Sequence, residues 1–255
     1  MKNQYFGDVN DYRKYGLLRV LSHETGLRCL VGWMLTPDDD RRDGGFTRYL
    51  DDPDTWRHFD PDLFDTLRDA VSIRGIRDVK YLEASSLLQG ASFLSDSVPD
   101  PSSERTRWSN RLLAASKGHD LVFLDPDNGI EVKSKPVGCK DSRKYVYWQE
   151  LAELFELGAS LLVYQHYPRR PRDEFTFSLA ERFSRELEID RLTTFSTSKV
   201  LFVLASQSDH SLSLRAAAKS VARKWHGQFL VGEAPAGHGA SADAATPLEG
   251  NYRLF

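Results

Sequence analysis

The chain has 255 residues, 40% of them hydrophobic, and a formal charge of -3. That is apolar material for one sizeable α/β core, and the charge argues against a generally basic nucleic-acid coat. Two cysteines without C-x-x-C spacing, Cys29 and Cys139, exclude a disulfide framework and give no zinc signal.

No run approaches the roughly eighteen apolar residues of a membrane span, and the polar, aromatic start MKNQYFGDVNDYRKYG has no apolar leader core. A reducing, cytoplasmic location without a membrane partner is therefore expected. In chain order, DYRKYGLLRVLSH (11–23) has helical spacing, with Asp8 or Asn10 as its cap and Gly16 as its weak point. LRCLVGWMLT (27–36) reads as a strand. The acid-rich stretch from Asp38 to Asp69 reads as solvent-facing and includes a helix at 61–71. VKYLEAS (79–85) reads as a strand, SDSVPDPSS (95–103) as a surface connection, and 104–117 as a helix.

DLVFLDP (120–126) and SLLVYQHY (160–167) read as strands, separated by a helix at 148–157. A helix at 173–187 precedes LTTFSTS (192–198) and VLFVLAS (200–206), a late antiparallel pair, and a last helix covers 211–226. Strands alternating with helices predict a single α/β domain over residues 1–233, a mostly parallel sheet with helices on both faces. The Ala/Gly/Pro-rich stretch from 234 to 255 reads as a flexible or loosely docked tail.

The strand LVFLDPDNG carries the chemistry. Pro126 lacks a donor and stops the ladder, so Asp125 and Asp127 are presented at a strand end, followed by Asn128 and Gly129, which suit a tight turn. In an open parallel sheet that end borders the ligand crevice, although an Asx-rich turn that merely ends a strand would use the same residues. SLLVYQHYPRR repeats the design with His166, Tyr167, Arg169 and Arg170, which suit stacking on a base and holding phosphates. The N-terminal stretch adds Tyr5, Asn10, Tyr12 and Lys14; Tyr12 and Tyr15 serve equally well as core, and Asn10 as a helix cap. From Lys133 to Arg172, eight basic residues, Lys144 among them, face four acids, as a phosphate-bearing partner requires and as a solvated loop also permits.

The order GDVNDYRKYGLLR, LVFLDPDNG, LLVYQHYP resembles the adenine-N6 methyltransferases of the Asp-Pro-Pro-Tyr type, especially their ribosomal RNA branch. That resemblance implies a loop gripping a flipped base through Asp125, Pro126, Asp127 and Asn128. Two departures weaken it: the loop tyrosine is missing, and LVGWMLT runs into Pro37 and Asp38 rather than a glycine-rich turn for S-adenosylmethionine. With KYVYWQEL (144–151), the same segments resemble a bacterial family of anti-phage DNA glycosylases acting on bulky modified cytosines. That resemblance spans the chain to about residue 230, and it implies a DNA partner, no cofactor and water as co-substrate.

Base excision passes through an oxocarbenium-like sugar, so a carboxylate must stabilise positive charge and orient water. Asp127 is the first choice, Asn10 positions water or the base edge, and Asp125 orients the loop or is itself the acid. Only one of the two aspartates is expected to face the sugar. Tyr5, Tyr12, Asn128, His166 and Tyr167 are candidates for the extruded base, and Lys14, Lys144, Arg169 and Arg170 for phosphates. A Schiff-base lysine (Lys14 or Lys144) and a catalytically silent nucleic-acid-binding module are alternatives; the acids would also suit a Mg²⁺-dependent nuclease, but its usual additional Asp/Glu and Lys spacing is absent and no metal site is expected.

Overall fold

The structure is a computed structural model that describes residues 1–39 and 44–235. Helices α1 (Val9–Thr25), α2 (Pro53–Trp56), α3 (Pro61–Arg68), α4 (Lys80–Glu83), α5 (Ser102–Ser116), α6 (Trp148–Glu156), α7 (Arg172–Leu187) and α8 (Ser208–Lys224) surround the sheet. The strands are β1 (Cys29–Gly32), β2 (Ser92–Leu94), β3 (Leu121–Leu124), β4 (Gly129–Ile130), β5 (Tyr145–Val146), β6 (Ser160–His166), β7 (Arg191–Ser196), β8 (Val200–Ala205) and β9 (Leu230–Pro235). The main sheet has the order β2-β1-β3-β6-β8-β7-β9, and β4 pairs with β5 beside it.

β2, β1, β3 and β6 are parallel neighbours. β8 enters antiparallel between β6 and β7, and β9 closes the edge antiparallel to β7. The protein is thus a single α/β domain with a mostly parallel sheet and a late antiparallel pair. Alternate side chains sort to opposite faces, as the twofold strand period requires. Phe123, Leu162 and Phe202 meet Leu18 of α1, Phe64 of α3 and Val221 of α8, while Val122, Leu161 and Val203 meet Trp108 of α5, Leu151 of α6 and Phe183 of α7.

Gly16, the apparent weak point of α1, has a packing reason: a Cβ there would overlap the buried ring of Trp225. The stretch 79–85 contains a short helix, Lys80–Glu83, rather than a strand. Val79 and Leu82, three apart, share the core side, and the Asp78 carboxylate accepts the Lys80 N–H at 2.9 Å. The edge strand is instead Ser92–Leu94. Ala234 and Pro235, expected in the tail, belong to β9; the rest of the expected tail, 236–255, lies outside the described residues.

Candidate active site

β2 and β3 lie on opposite sides of β1, so the chain changes direction across the sheet between β1 and β3. At such a switch point the loops beyond the strand ends diverge and leave a crevice. The segment after β3 enters it under tight control from neighbouring β6. Gln165 Oε1 accepts the Ile130 N–H at 2.8 Å, and its Nε2 donates to the carbonyls of His166 at 2.6 Å and Asn128 at 3.3 Å. Gly129 makes this approach possible: its φ is +114°, and a Cβ would overlap the Gln165 amide. Asn128 is further tied by its N–H to the Lys144 carbonyl at 3.0 Å.

Asp125 and Asp127 both line this crevice, as residues two apart on an extended chain share a side. Their partners differ. Asp125 Oδ2 accepts from Lys14 Nζ at 2.6 Å, and Lys14 also reaches Asp11 Oδ1 at 2.7 Å, with all three side chains sealed from solvent. Burial pushes the Asp125 carboxyl up, and the Lys14 charge only partly offsets it. Burial by itself would favour neutral Lys14, but Asp11 and Asp125 outweigh it and hold the ammonium above its ordinary value. Lys14 is thereby a poor Schiff-base nucleophile, and its burial takes it away from DNA phosphates.

Asp127 is held by Thr36, whose hydroxyl donates to Oδ2 at 2.6 Å, and by the Met1 amino nitrogen, 2.7 Å from Oδ1. That amine also donates to the carbonyls of Asp125 at 2.8 Å and Met34 at 3.2 Å. Oδ1 is enclosed and, beyond the ion pair, has no aligned hydrogen-bond donor. Burial raises the Asp127 carboxyl, but the Met1 charge and the Thr36 hydroxyl overcome it and hold the group below the usual carboxylate range. Asp127 is therefore an ionised carboxylate at the strand end.

The opposite wall is the start of α1. Asp8 is its cap, with Oδ1 accepting the N–H groups of Asn10 at 2.7 Å and Asp11 at 3.0 Å. Burial, reinforced by the Asp11 charge, pushes the Asp8 carboxyl up to about 6. Asn10, the second residue of α1, lies at the crevice, with its side-chain oxygen 3.4 Å from Arg13 Nη1. Tyr5 and His166 stand at the same crevice; His166 Nε2 is 3.2 Å from the Tyr164 hydroxyl.

Other expected contacts lie elsewhere. Tyr12 is fully buried in an aromatic cluster, stacked on Tyr49, with its hydroxyl donating to the Trp56 carbonyl, so it is core rather than a base contact. Tyr167 directly follows His166, the last residue of β6, and its ring meets Phe175 rather than lining the crevice. Arg170 holds α7 through the Glu174 carbonyl and Ser178. Arg169 is exposed beyond the strand end. Lys144 pairs with Asp141 at 3.2 Å, beside the small β4-β5 sheet. Sequence reasoning missed Asp11, Thr36 and Tyr164, and it took Asp8 only as a cap; DYRKY does show Asp11 and Lys14 three apart on one helix face.

The crevice holds about 30 Å³, water-sized, so a base meets its mouth while its floor orients something smaller. A larger hollow of about 530 Å³ lies at the far end of α1, lined by Arg19, His23, Phe59, Asp60, Leu88 and Trp225. Its size suits a ligand, but Arg19 is already bound to Asp60 at 2.6 Å, and the Asp125–Asn128 loop is not part of it. No family model matches the sequence, and no curated protein matches it significantly.

Proposed function

We propose that this protein is a DNA glycosylase that hydrolyses the N-glycosidic bond of a bulky, modified cytosine-type base, in defence against phage. The observation that supports it best is the ionised Asp127 carboxylate at a parallel strand end, sharing one water-sized crevice with Asn10 and His166. An oxocarbenium-like sugar at the mouth gains from a fixed negative charge, and a water held against Asp127 is positioned to attack C1′. Asn10 orients that water or the base edge. Asp125, committed to Lys14, holds the loop rather than the sugar. Tyr5 and His166 offer rings at the rim on which an extruded base can stack.

The test is incubation with phage DNA rich in hydroxymethylated cytosine, followed by mass spectrometry of the released material and alkali treatment of the DNA. Free modified base with alkali-labile sites supports the reading; its absence contradicts it. Asp127→Ala should lose release and keep DNA binding, which separates an enzyme from a silent binding module. A methyltransferase is the second reading, favoured by the position of Asp125-Pro126 at the β1–β3 switch point. Calorimetric binding of S-adenosylmethionine would support it over the first.

A further inference from the structure

The crevice contains a carboxyl group that the hydrolytic reading leaves without a task. Asp127 and Asp125 each have a cation at ion-pair distance, the Met1 amine and Lys14. Asp8 has none among the described residues. It is only 7% exposed, and its Oδ1 is already occupied by the two N–H groups of α1. The proton-bearing position is therefore Oδ2, on a side chain that borders the same crevice as Asp127. A cap needs only an oxygen acceptor, which serine or asparagine supplies as well, so capping does not explain an aspartate in this enclosed place.

Building on the glycosylase reading, we propose that Asp8 is the general acid of this site, giving a proton to the departing base while Asp127 takes one from water. As the C1′–N bond breaks, its electron pair leaves with the base, and the Asp8 proton is delivered to a ring acceptor of that base. The water oxygen bonds to C1′, and its proton passes to Asp127. The products are free neutral base, an abasic deoxyribose, ionised Asp8 and protonated Asp127, so atoms and charge balance. The two carboxyls meet the requirement for such a pair, because their surroundings drive them apart.

Around Asp8, the charged and titratable neighbours are Asp11, Arg13, Lys14 and Tyr15 of α1, Tyr5 ahead of that helix, Tyr49 before α2, Asp125 and Asp127 after β3, and Tyr164 and His166 of β6. The lysine and arginine oppose protonation and Asp11 favours it, with burial the largest influence. A carboxyl pushed up to about 6 keeps a usable fraction of acid near neutral pH.

The experiment compares the native chain with Asp8→Asn and Asp8→Ser on phage DNA rich in hydroxymethylated cytosine, reading single-turnover base release across pH 5 to 8, DNA binding and thermal melting. Both replacements retain a helix cap, so folding should survive. The expected result is release slowed about 100-fold at pH 6 in both variants, with unchanged DNA binding, and loss of the fall in rate that the native chain shows above about pH 6. Native activity retained by both variants with the same pH profile overturns the role of Asp8 alone. No release by the native chain overturns the glycosylase reading, and this inference with it.

Discussion

The Lys14 ammonium lies 2.6 Å from the Asp125 carboxylate, joining the first helix to the third strand across 111 positions of sequence, with both side chains sealed from solvent. This contact, with Asp11 as second acceptor, anchors the start of α1 to the loop that follows β3 at the crevice. Lys14 also lies 5.2 Å from the Tyr164 ring centre, which fills its remaining side.

Removing one partner of such a cluster leaves buried charge uncompensated. Lys14→Met should destabilise the protein by about 3–5 kcal/mol in denaturant melts. Adding Asp125→Leu should recover part of the loss, because the second change removes a stranded carboxylate. Additive losses would show that the two groups are not coupled.

The Asp8 carboxyl makes stability depend on pH. Its folded value, about 6, lies above its unfolded one, so the folded state holds the proton more tightly. The stabilisation is complete in acid and is lost as pH rises through about 6. Asp8→Asn removes this loss while keeping a cap. It should therefore be more stable than the native chain by about 2 kcal/mol at pH 8, with little difference at pH 4. Asp127 has the opposite sign. Its depressed value stabilises the fold above the ordinary carboxylate range, and that stability disappears as pH falls through the folded value. Asp127→Asn should flatten the acid limb of the melting profile.

Gly16 tests the packing of α1. Alanine is the better helix former, yet here its methyl group would enter the Trp225 ring. Gly16→Ala should lower stability by about 1–3 kcal/mol, whereas propensity alone predicts a gain. Thermal melting at a single pH decides between them.

Gln165 tests whether loop position governs the site. Gln165→Ala strands the Ile130 N–H and releases the Asn128 carbonyl, costing about 1–3 kcal/mol. Base release should fall with DNA affinity intact, measured by single-turnover release beside filter binding. Unchanged release would show that the loop is held by other means.

The apolar runs LVFL and SLLV stand out in the sequence because both faces of their strands are buried, and a proline that no strand interior accepts follows each strand, Pro126 after β3 and Pro168 after β6. The paired ends of β3 and β6 were therefore legible, with Asp127 and His166 meeting at one crevice. Short edge elements were not. Ser92–Leu94 has three residues with none buried, and Leu230–Pro235 carries a glycine and a proline that an edge strand tolerates and a central one does not. VKYLEAS misleads because its apolar positions suit a strand and a single helical turn alike. The bonds of Lys14 to Asp125 and of Thr36 to Asp127 were hidden for another reason: spacing along a chain carries no record of partners about a hundred positions away.

The role proposed for Asp127 is to act on the sugar of an extruded nucleotide. Its most direct test is single-turnover base release from a duplex containing one hydroxymethylated cytosine, scored by alkaline strand scission, for the native chain and Asp127→Asn. The native chain should cleave the strand, and the variant should lose at least about 100-fold of that scission with equal DNA binding. Equal scission by both proteins would contradict that role.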